Sequence, residues 1–237
     1  MAEGPKLLEE ALRAGAPVEV VYLEGRAAGD RHREVAEAAA RAGASVLEVE
    51  AGVLARACEA VTPQPVAAIV SMRHVALESL PLDGLTVVGV GVQDPGNAGT
   101  VIRSASASGS CGVVFCAGAV DIYNPKAVRA SAGTVFHLPL AVGGEAGDVL
   151  DHLGARGVAR LGTVVRGGRD HDGVDWTRPA ALVLGSESHG LPGSLDSRID
   201  GQVTIPMHQA AESLNVAMAA TVICFEAARQ RRAAGRG

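Results

Sequence analysis

The run LTVVGVGVQDPGNAGTVIR, residues 85–103, decides the fold. Its first eight residues, Leu85 to Val92, are apolar or glycine except for Thr86. They show no polar alternation, so the stretch reads as a strand covered on both faces. The turn Gln93-Asp94-Pro95-Gly96-Asn97 breaks it, and a helical pattern follows. The same kind of short apolar strand recurs at Gly112–Cys116, Val158–Val165, Ala180–Leu184 and Gln202–Ile205, with helical stretches between. Such a pattern predicts an α/β domain whose mostly parallel sheet carries helices on both faces. Ligands of such sheets bind beyond the carboxyl ends of the strands. Three loops fall there, Gln93–Gly99, Gly185–Gly190 and Pro206–Asn215, and they form the candidate site.

Upstream, the chain reads as a smaller α/β unit. Leu7, Leu8, Ala11 and Leu12 recur at helical spacing, and Val18–Leu23 reads as a strand. Arg33–Ala42 is an Ala/Glu helix closed by Gly43. Ser45–Val49 and Val66–Val70 are two further strands. Pro81-Leu82-Asp83-Gly84 reads as a linker. The expected division is therefore residues 1–80 and residues 85–237.

The composition narrows the function classes. Of 237 residues, 48% are hydrophobic and 20% charged, which excludes a disordered chain. No apolar run approaches the roughly 20 residues of a membrane helix. The start lacks a basic flank before an apolar core, so no secretory signal is read there. Four scattered cysteines without a C-x-x-C pair fit a reducing cytoplasm. The net charge of −5 does not announce a nucleic-acid binder, and neither half is basic. Seven histidines show no metal-ligand spacing, so no metal is expected.

The common nucleotide motifs fail at single positions. Gly89-Val90-Gly91 begins a dinucleotide fingerprint, but Asp94 stands where the third glycine belongs. Gly91 to Gly96 has P-loop glycine spacing, but Asn97 replaces the lysine. No nucleophile elbow is present either, since Gly185-Ser186-Glu187-Ser188-His189-Gly190 lacks the required frame.

Three segments taken together resemble the SpoU/TrmH family of RNA 2′-O-ribose methyltransferases, within the SPOUT superfamily. They are Asn97-Ala-Gly99-Thr100-Val-Ile-Arg103, Leu182-Val-Leu184-Gly185-Ser186-Glu187-Ser-His-Gly190-Leu191, and Val203-Thr-Ile205-Pro206-Met207 followed by Ser213-Leu214-Asn215-Val216-Ala217. Asn124-Pro-Lys126-Ala-Val-Arg129-Ala-Ser131-Ala-Gly133 is also similar to the family. The resemblance covers roughly residues 85–230 and implies a small N-terminal substrate-binding domain, then a SPOUT domain with a C-terminal trefoil knot. Members usually carry a strand before the first helix, whereas here Glu3-Gly4-Pro5-Lys6 opens that helix at once. The first domain is therefore expected to be shortened, or the sequence trimmed, at its start.

The resemblance implies S-adenosylmethionine as cofactor and assigns roles residue by residue. Arg103 acts on the ribose hydroxyl. A guanidinium stays protonated in proteins, so orienting the hydroxyl and stabilising a developing alkoxide suits it better than taking the proton; which it does stays open. Alone, Arg103 would read as an exposed helix arginine in an ion pair, Asn97 as an N-cap, and Glu187 as a solvated loop carboxylate. By the resemblance Glu187 shapes the cofactor loop and hydrogen-bonds Arg103 or substrate, and Ser213 and Asn215 complete the implied catalytic set. The implied cofactor contacts are Thr163, Leu184, Gly185, Ser186, Glu187, Gly190, Ile205, Pro206, Met207 and Leu214; Ile205 and Leu214 also read as core.

RNA contacts are expected at Arg129 and Ser131, and at the front cluster Arg26, Arg31 and Arg33. The tail cluster Arg229, Arg231 and Arg232 is an equal alternative to a solvated helix face. The last helix, Asn215 to about Arg232, is apolar nearly all round to Phe225, so burial on several sides is expected. In the family that helix belongs to a homodimer interface near the active site. The expected function is methyl transfer to a ribose 2′-hydroxyl of structured RNA, ribosomal RNA favoured. Transfer RNA, or a non-catalytic assembly factor on the same fold, are the alternatives.

Overall fold

Two sheets divide the chain in the computed structural model, which describes residues 1–208 and 212–236. The first has strand order β1-β4-β2-β3, from β1 (Ala2–Glu3), β2 (Val18–Glu24), β3 (Ser45–Val49) and β4 (Val66–Val70). β1 and β2 run antiparallel to β4, and β3 runs parallel to β2. So the strand expected to be missing before the first helix is present, as two residues paired to Ala67 and Ala68. It escapes a sequence reading because two residues carry no periodicity.

Helices α1 (Pro5–Arg13) and α2 (Asp30–Arg41) pack on this sheet, and α3 (Val53–Ala57) follows β3. Pro5 sits at the start of α1, where its missing N–H costs nothing. Leu8, Val21, Val35, Ala39 and Ala68 close the small core. Burying such aliphatic side chains stabilises by about 1.5–3 kcal/mol each before entropy is counted.

The second sheet has seven strands in the order β7-β6-β5-β10-β8-β11-β9. These are β5 (Leu85–Gly89), β6 (Gly112–Phe115), β7 (Leu140–Val142), β8 (Ala159–Thr163), β9 (Arg169–Asp170), β10 (Ala180–Leu184) and β11 (Gly201–Thr204). Every pairing between them is parallel. The expected five strands occupy its middle; β7 and β9, only three and two residues long, extend its edges. β5 and β10 are buried along their whole length, which explains their unbroken apolar sequence.

Two apolar clusters cover the two faces. One holds Val87, Ile102, Phe115, Leu182, Trp176 and Ile223; the other holds Val88, Val114, Leu150, Leu153 and Val183. The alternation of Val87 and Val88 between clusters is the period-two geometry of a strand. Helices α4 (Pro95–Ala107), α5 (Pro125–Ala130), α6 (Ala146–Ala155) and α7 (Val216–Ala233) complete the layers. Gly99 lets α4 approach α5 closely, since a Cβ there would lie 2.2 Å from the Ala127 carbonyl oxygen.

The two sheets are tied by specific contacts. Glu3, with 4% of its side chain exposed, holds Arg129 of α5 at 2.9 Å. Glu10 of α1 holds His137 at 2.9 Å. Gly133, at φ +92°, takes the Glu10 side chain where any Cβ would collide with it. Tyr123 donates to the Arg73 carbonyl at 2.7 Å, fixing the connecting segment as well. Among the described residues no helix is long and apolar enough to cross a membrane.

Candidate active site

Parallel strands all deliver their carboxyl ends to one edge of the sheet, and the functional loops meet there. Beyond β5, Asp94 caps α4 by accepting from the Asn97 amide at 2.9 Å. Asn97 is therefore not the cap; it sits one turn inside, with its side chain free for other partners. Its Nδ2 donates to Glu187 Oε1 at 2.8 Å, across from the loop after β10. Its Oδ1 accepts from Asn215 Nδ2 at 3.0 Å. Asn215 in turn caps α7, accepting from the amides of Ala217 and Met218. One amide side chain thus joins three loops distant in sequence.

Burial alone would raise the Glu187 carboxyl, but the Asn97 hydrogen bond and the N–H groups of Glu187, Gln93 and Asp94 outweigh it. The net effect holds Glu187 below the ordinary glutamate value, so it is an anion and a pure acceptor at neutral pH. Its partner is Asn97 rather than Arg103. Asp94 is also held low, chiefly by Lys126, whose ammonium lies 2.8 Å from its other oxygen.

Arg103 lies two turns further along α4, exposed, and makes no hydrogen bond or ion pair among the described residues. The ion-paired surface arginine that its position alone suggested is not what the structure shows. Helical spacing places the exposed Arg103 on the same stripe as the half-buried Gly96 and Thr100, while Asn97 and Ser104 turn toward α7. Ser104 meets Thr221 of α7 at 2.7 Å, which fixes that orientation.

Beside this network lies a cavity of about 880 Å³. Thr163, Gly185, Ser186, Glu187, Gly190, Ile205, Met207, Ser213, Leu214 and Asn215 all line it. Leu184 instead is fully buried in β10, and Pro206 lines a neighbouring groove. Gly185 is dictated by packing: a Cβ would lie 2.2 Å from the Gly190 carbonyl carbon. Ser186 and Gly190 close the loop with two 3.0 Å backbone hydrogen bonds.

The cavity suits a nucleoside-sized molecule with a polar edge and flat faces. Its walls are aliphatic at Val164, Leu191, Ile205 and Leu214, the buried backbone of Gly185 forms part of its floor, and carboxylates stand at Glu187 and Asp196. Its volume falls in the range of small-molecule pockets. Sequence reasoning did not assign Val164, Leu191 or Asp196 to the cavity. Leu191 ends the family-like segment after β10, whereas no motif marks Val164 beyond β8 or Asp196 further along the chain.

The expected RNA contacts fare differently. Ser131 is fully buried, with its hydroxyl bonded to the Val128 carbonyl and the Gly133 amide, so RNA cannot reach it. Arg129 is held by Glu3. Arg31 spends its fork on Glu9, and Arg33 donates to the Gly25 carbonyl. Arg26 is exposed. On the tail, Arg229 pairs with Glu226 and Arg231 donates to the Asp83 carbonyl, while Arg232 is exposed. No group of three His, Cys, Asp or Glu side chains among the described residues is placed to hold a metal ion.

α7 is buried on part of its surface, with one apolar stripe left exposed. Ala217, Ala220, Ile223, Cys224 and Ala227 are buried, but Met218, Val222 and Phe225 are 62%, 39% and 45% exposed along one stripe.

Comparison with known proteins accounts for most of the chain. Residues 84–225 match the SpoU rRNA Methylase family, and residues 1–76 match the RNA 2′-O ribose methyltransferase substrate-binding family. A 23S rRNA uridine 2′-O-methyltransferase of Streptomyces viridochromogenes is 39% identical over 71% of this chain and 61% of its own length, under two thirds of that relative. A 23S rRNA guanosine 2′-O-methyltransferase of Bacillus subtilis is 32% identical over 95% of this chain and 86% of its own. Among solved structures, the SpoU methyltransferase AviRb of S. viridochromogenes in complex with AdoMet superposes with a TM-score of 0.89. It is 33% identical and covers 98% of this chain and 89% of that one.

Proposed function

The chain belongs to the SpoU rRNA methylase family, and we infer that it transfers a methyl group from S-adenosylmethionine to a ribose 2′-hydroxyl of ribosomal RNA. The observation that carries this reading is the Glu187–Asn97–Asn215 network standing beside a nucleoside-sized cavity, with the unpaired Arg103 nearby. When bound, the cofactor supplies an electrophilic methyl on a sulfonium. What remains for the protein is to hold the hydroxyl in line with that methyl and to stabilise the charge on its oxygen.

Thr163, Gly185, Ile205 and Leu214 hold the cofactor mainly by shape and main chain, with Ser186, Gly190 and Met207 closing the cavity around them. Glu187 fixes the loop and Asn97 rather than taking the proton, because its lone pairs are already committed and its charged form is favoured. Arg103 brings five N–H donors with no competing partner, which suits an oxygen gaining negative charge. Asn215 holds Asn97 from the far side, and Ser213 adds a hydroxyl at the cavity wall. Orientation of this kind can supply on the order of 7–11 kcal/mol of the barrier.

Residues 1–80 serve as the substrate-binding domain and residues 85–237 as the catalytic one. Of the front cluster Arg26, Arg31 and Arg33, Arg26 is the one without a protein partner among the described residues and is open to RNA. The enzyme works in the cytoplasm as a homodimer. The stripe of Met218, Val222 and Phe225 supports that assembly, being apolar, contiguous and beside α4. The C-terminal trefoil knot is carried over from the family resemblance, and α7 packs against α4.

The direct test is transfer of labelled methyl from S-adenosylmethionine to separate pools of unmodified 23S rRNA, 16S rRNA and tRNA, followed by alkaline digestion. Label in an alkali-resistant dinucleotide from 23S rRNA is the expected result. Label confined to tRNA would move the substrate, and label on a base would remove the ribose.

A further inference from the structure

We propose that Lys126 is a phosphate-binding residue for the substrate RNA, making with Arg103 a two-point contact along the exposed edge of α4. The proposal rests on the RNA reading above and names a site which that reading does not contain. Lys126 is the second residue of α5, after Pro125, and the side chain of the cap Asn124 accepts its amide at 2.9 Å. From there its side chain crosses to α4, where its Cε lies 3.4 Å from the position a Cβ on Gly96 would take. The ammonium meets Asp94 Oδ2 at 2.8 Å and keeps 55% of the side chain exposed.

A lysine ammonium carries three donors. One is bound to Asp94, and among the described residues no other acceptor meets the ammonium, which leaves the remaining two facing the site's rim. Asp94 fixes the direction of the charge, because its second oxygen is bound to the Asn97 amide. Gly96 and Arg103 lie on one stripe of α4, seven residues apart, about 10 Å along its axis. Two cations on one ridge, separated by the small Gly96 and Thr100, leave a strip that a phosphodiester backbone can follow.

Two other cations expected at the RNA surface are more fully engaged. Arg129 faces a Glu3 carboxylate that is almost wholly buried, and Arg31 gives both arms of its fork to Glu9. Lys126 also forms an ion pair, but a half-exposed one at the site itself, and such pairs contribute little that a phosphate could not replace. Its use is therefore in aiming a charge rather than in stability.

The test uses the full chain, unmodified 23S rRNA transcript, and the variants Lys126→Ala and Lys126→Arg. Binding is measured across a potassium chloride series, and methyl transfer across RNA concentrations. Loss of one phosphate contact lowers the slope of log affinity against log salt by roughly 0.7–0.9, which at about 0.1 M salt weakens binding some five- to eightfold. The expected result is that slope change in Lys126→Ala, with the loss falling on KM for RNA rather than on kcat, and recovery in Lys126→Arg. Binding of S-adenosylmethionine to Lys126→Ala stays at the wild-type value. A fall in kcat with the salt slope intact would overturn the proposal and make Lys126 a positioning residue acting through Asp94. An unchanged slope and KM would also overturn it. Failure of the wild type itself to bind or methylate the RNA would instead remove the reading on which the proposal rests.

Discussion

Asn97 donates to the Glu187 carboxylate at 2.8 Å, and that single bond joins the helix after β5 to the loop after β10. The same side chain is held from its other end by Asn215. Asn97→Ala would leave Glu187 without its side-chain donor and Asn215 without its acceptor. A hydrogen bond to a charged group contributes about 1.5–3 kcal/mol, so methyl transfer should fall by roughly ten- to a hundredfold. Asn97→Asp should do at least as much harm, because it sets a second carboxylate against Glu187. Single-turnover rates with saturating cofactor would show this; rates within twofold of wild type would detach the network from the chemistry.

Arg103 has nothing to lose in the resting fold, since no protein group binds it among the described residues. Arg103→Ala should leave unfolding and cofactor affinity within error while removing at least a hundredfold of transfer. Arg103→Lys should recover little, because one ammonium cannot reproduce a planar fork. Calorimetric titration of the cofactor beside a transfer assay separates the two effects. A matching loss of cofactor affinity would place Arg103 in the wrong role.

The middle of the fold was legible because β5 and β10 are buried along their length, and burial on both faces writes itself as an unbroken apolar run. β1, β7 and β9 were not, since strands of two or three residues are set by their neighbours and carry no pattern of their own. In the site, Asn97, Glu187 and Asn215 stood out as polar residues at glycine-rich strand ends. What no spacing rule could supply was that Glu187 turns to Asn97 instead of Arg103, or that Asp94 rather than Asn97 caps α4. The basic residues were only half legible for a simple reason: a sequence shows Arg31 and Arg129 as charges, whereas the structure sets Glu9 and Glu3 against them. The same blindness hid Ser131, whose hydroxyl turns inward to its own helix end.

Thr86 offers a stability test away from the chemistry. It lies fully buried in β5, and among the described residues its hydroxyl has no hydrogen-bond partner. Such a group has lost water and gained nothing, at a cost of about 1–3 kcal/mol. Thr86→Val keeps the shape and removes the hydroxyl, so it should stabilise by roughly 1 kcal/mol. Urea unfolding at neutral pH reads this directly, and a destabilised variant would mean that the hydroxyl has a partner after all.

Gly185→Ala should act on the cofactor first. Its new Cβ would lie 2.2 to 2.5 Å from the backbone of Gly190 and Leu191, so the loop that walls the cavity has to open. Overpacking of this sort costs about 1–3 kcal/mol, and here the strain falls on the cofactor loop. Affinity for S-adenosylmethionine should drop by roughly ten- to a hundredfold while the sheet still forms. Equilibrium binding with a circular dichroism control tests it; unchanged affinity would show that this loop does not shape the cavity.

The depressed Glu187 carboxyl gives the site a defined acid limit. A group whose folded value lies below its unfolded one, about 4.3 for glutamate, stabilises the fold above that unfolded value. The stabilisation is lost as pH falls through the lower, folded value. From about pH 6 to 9 the contribution is constant, so no limb of the neutral activity profile should belong to Glu187. Glu187→Gln removes the charge, and the stability gap between it and wild type should be constant near neutrality and shrink toward pH 3. Unfolding at a series of pH values measures that gap. A gap that widens in acid would reverse the sign and require a carboxyl held above its ordinary value, which neither Asn97 nor the surrounding N–H groups could produce.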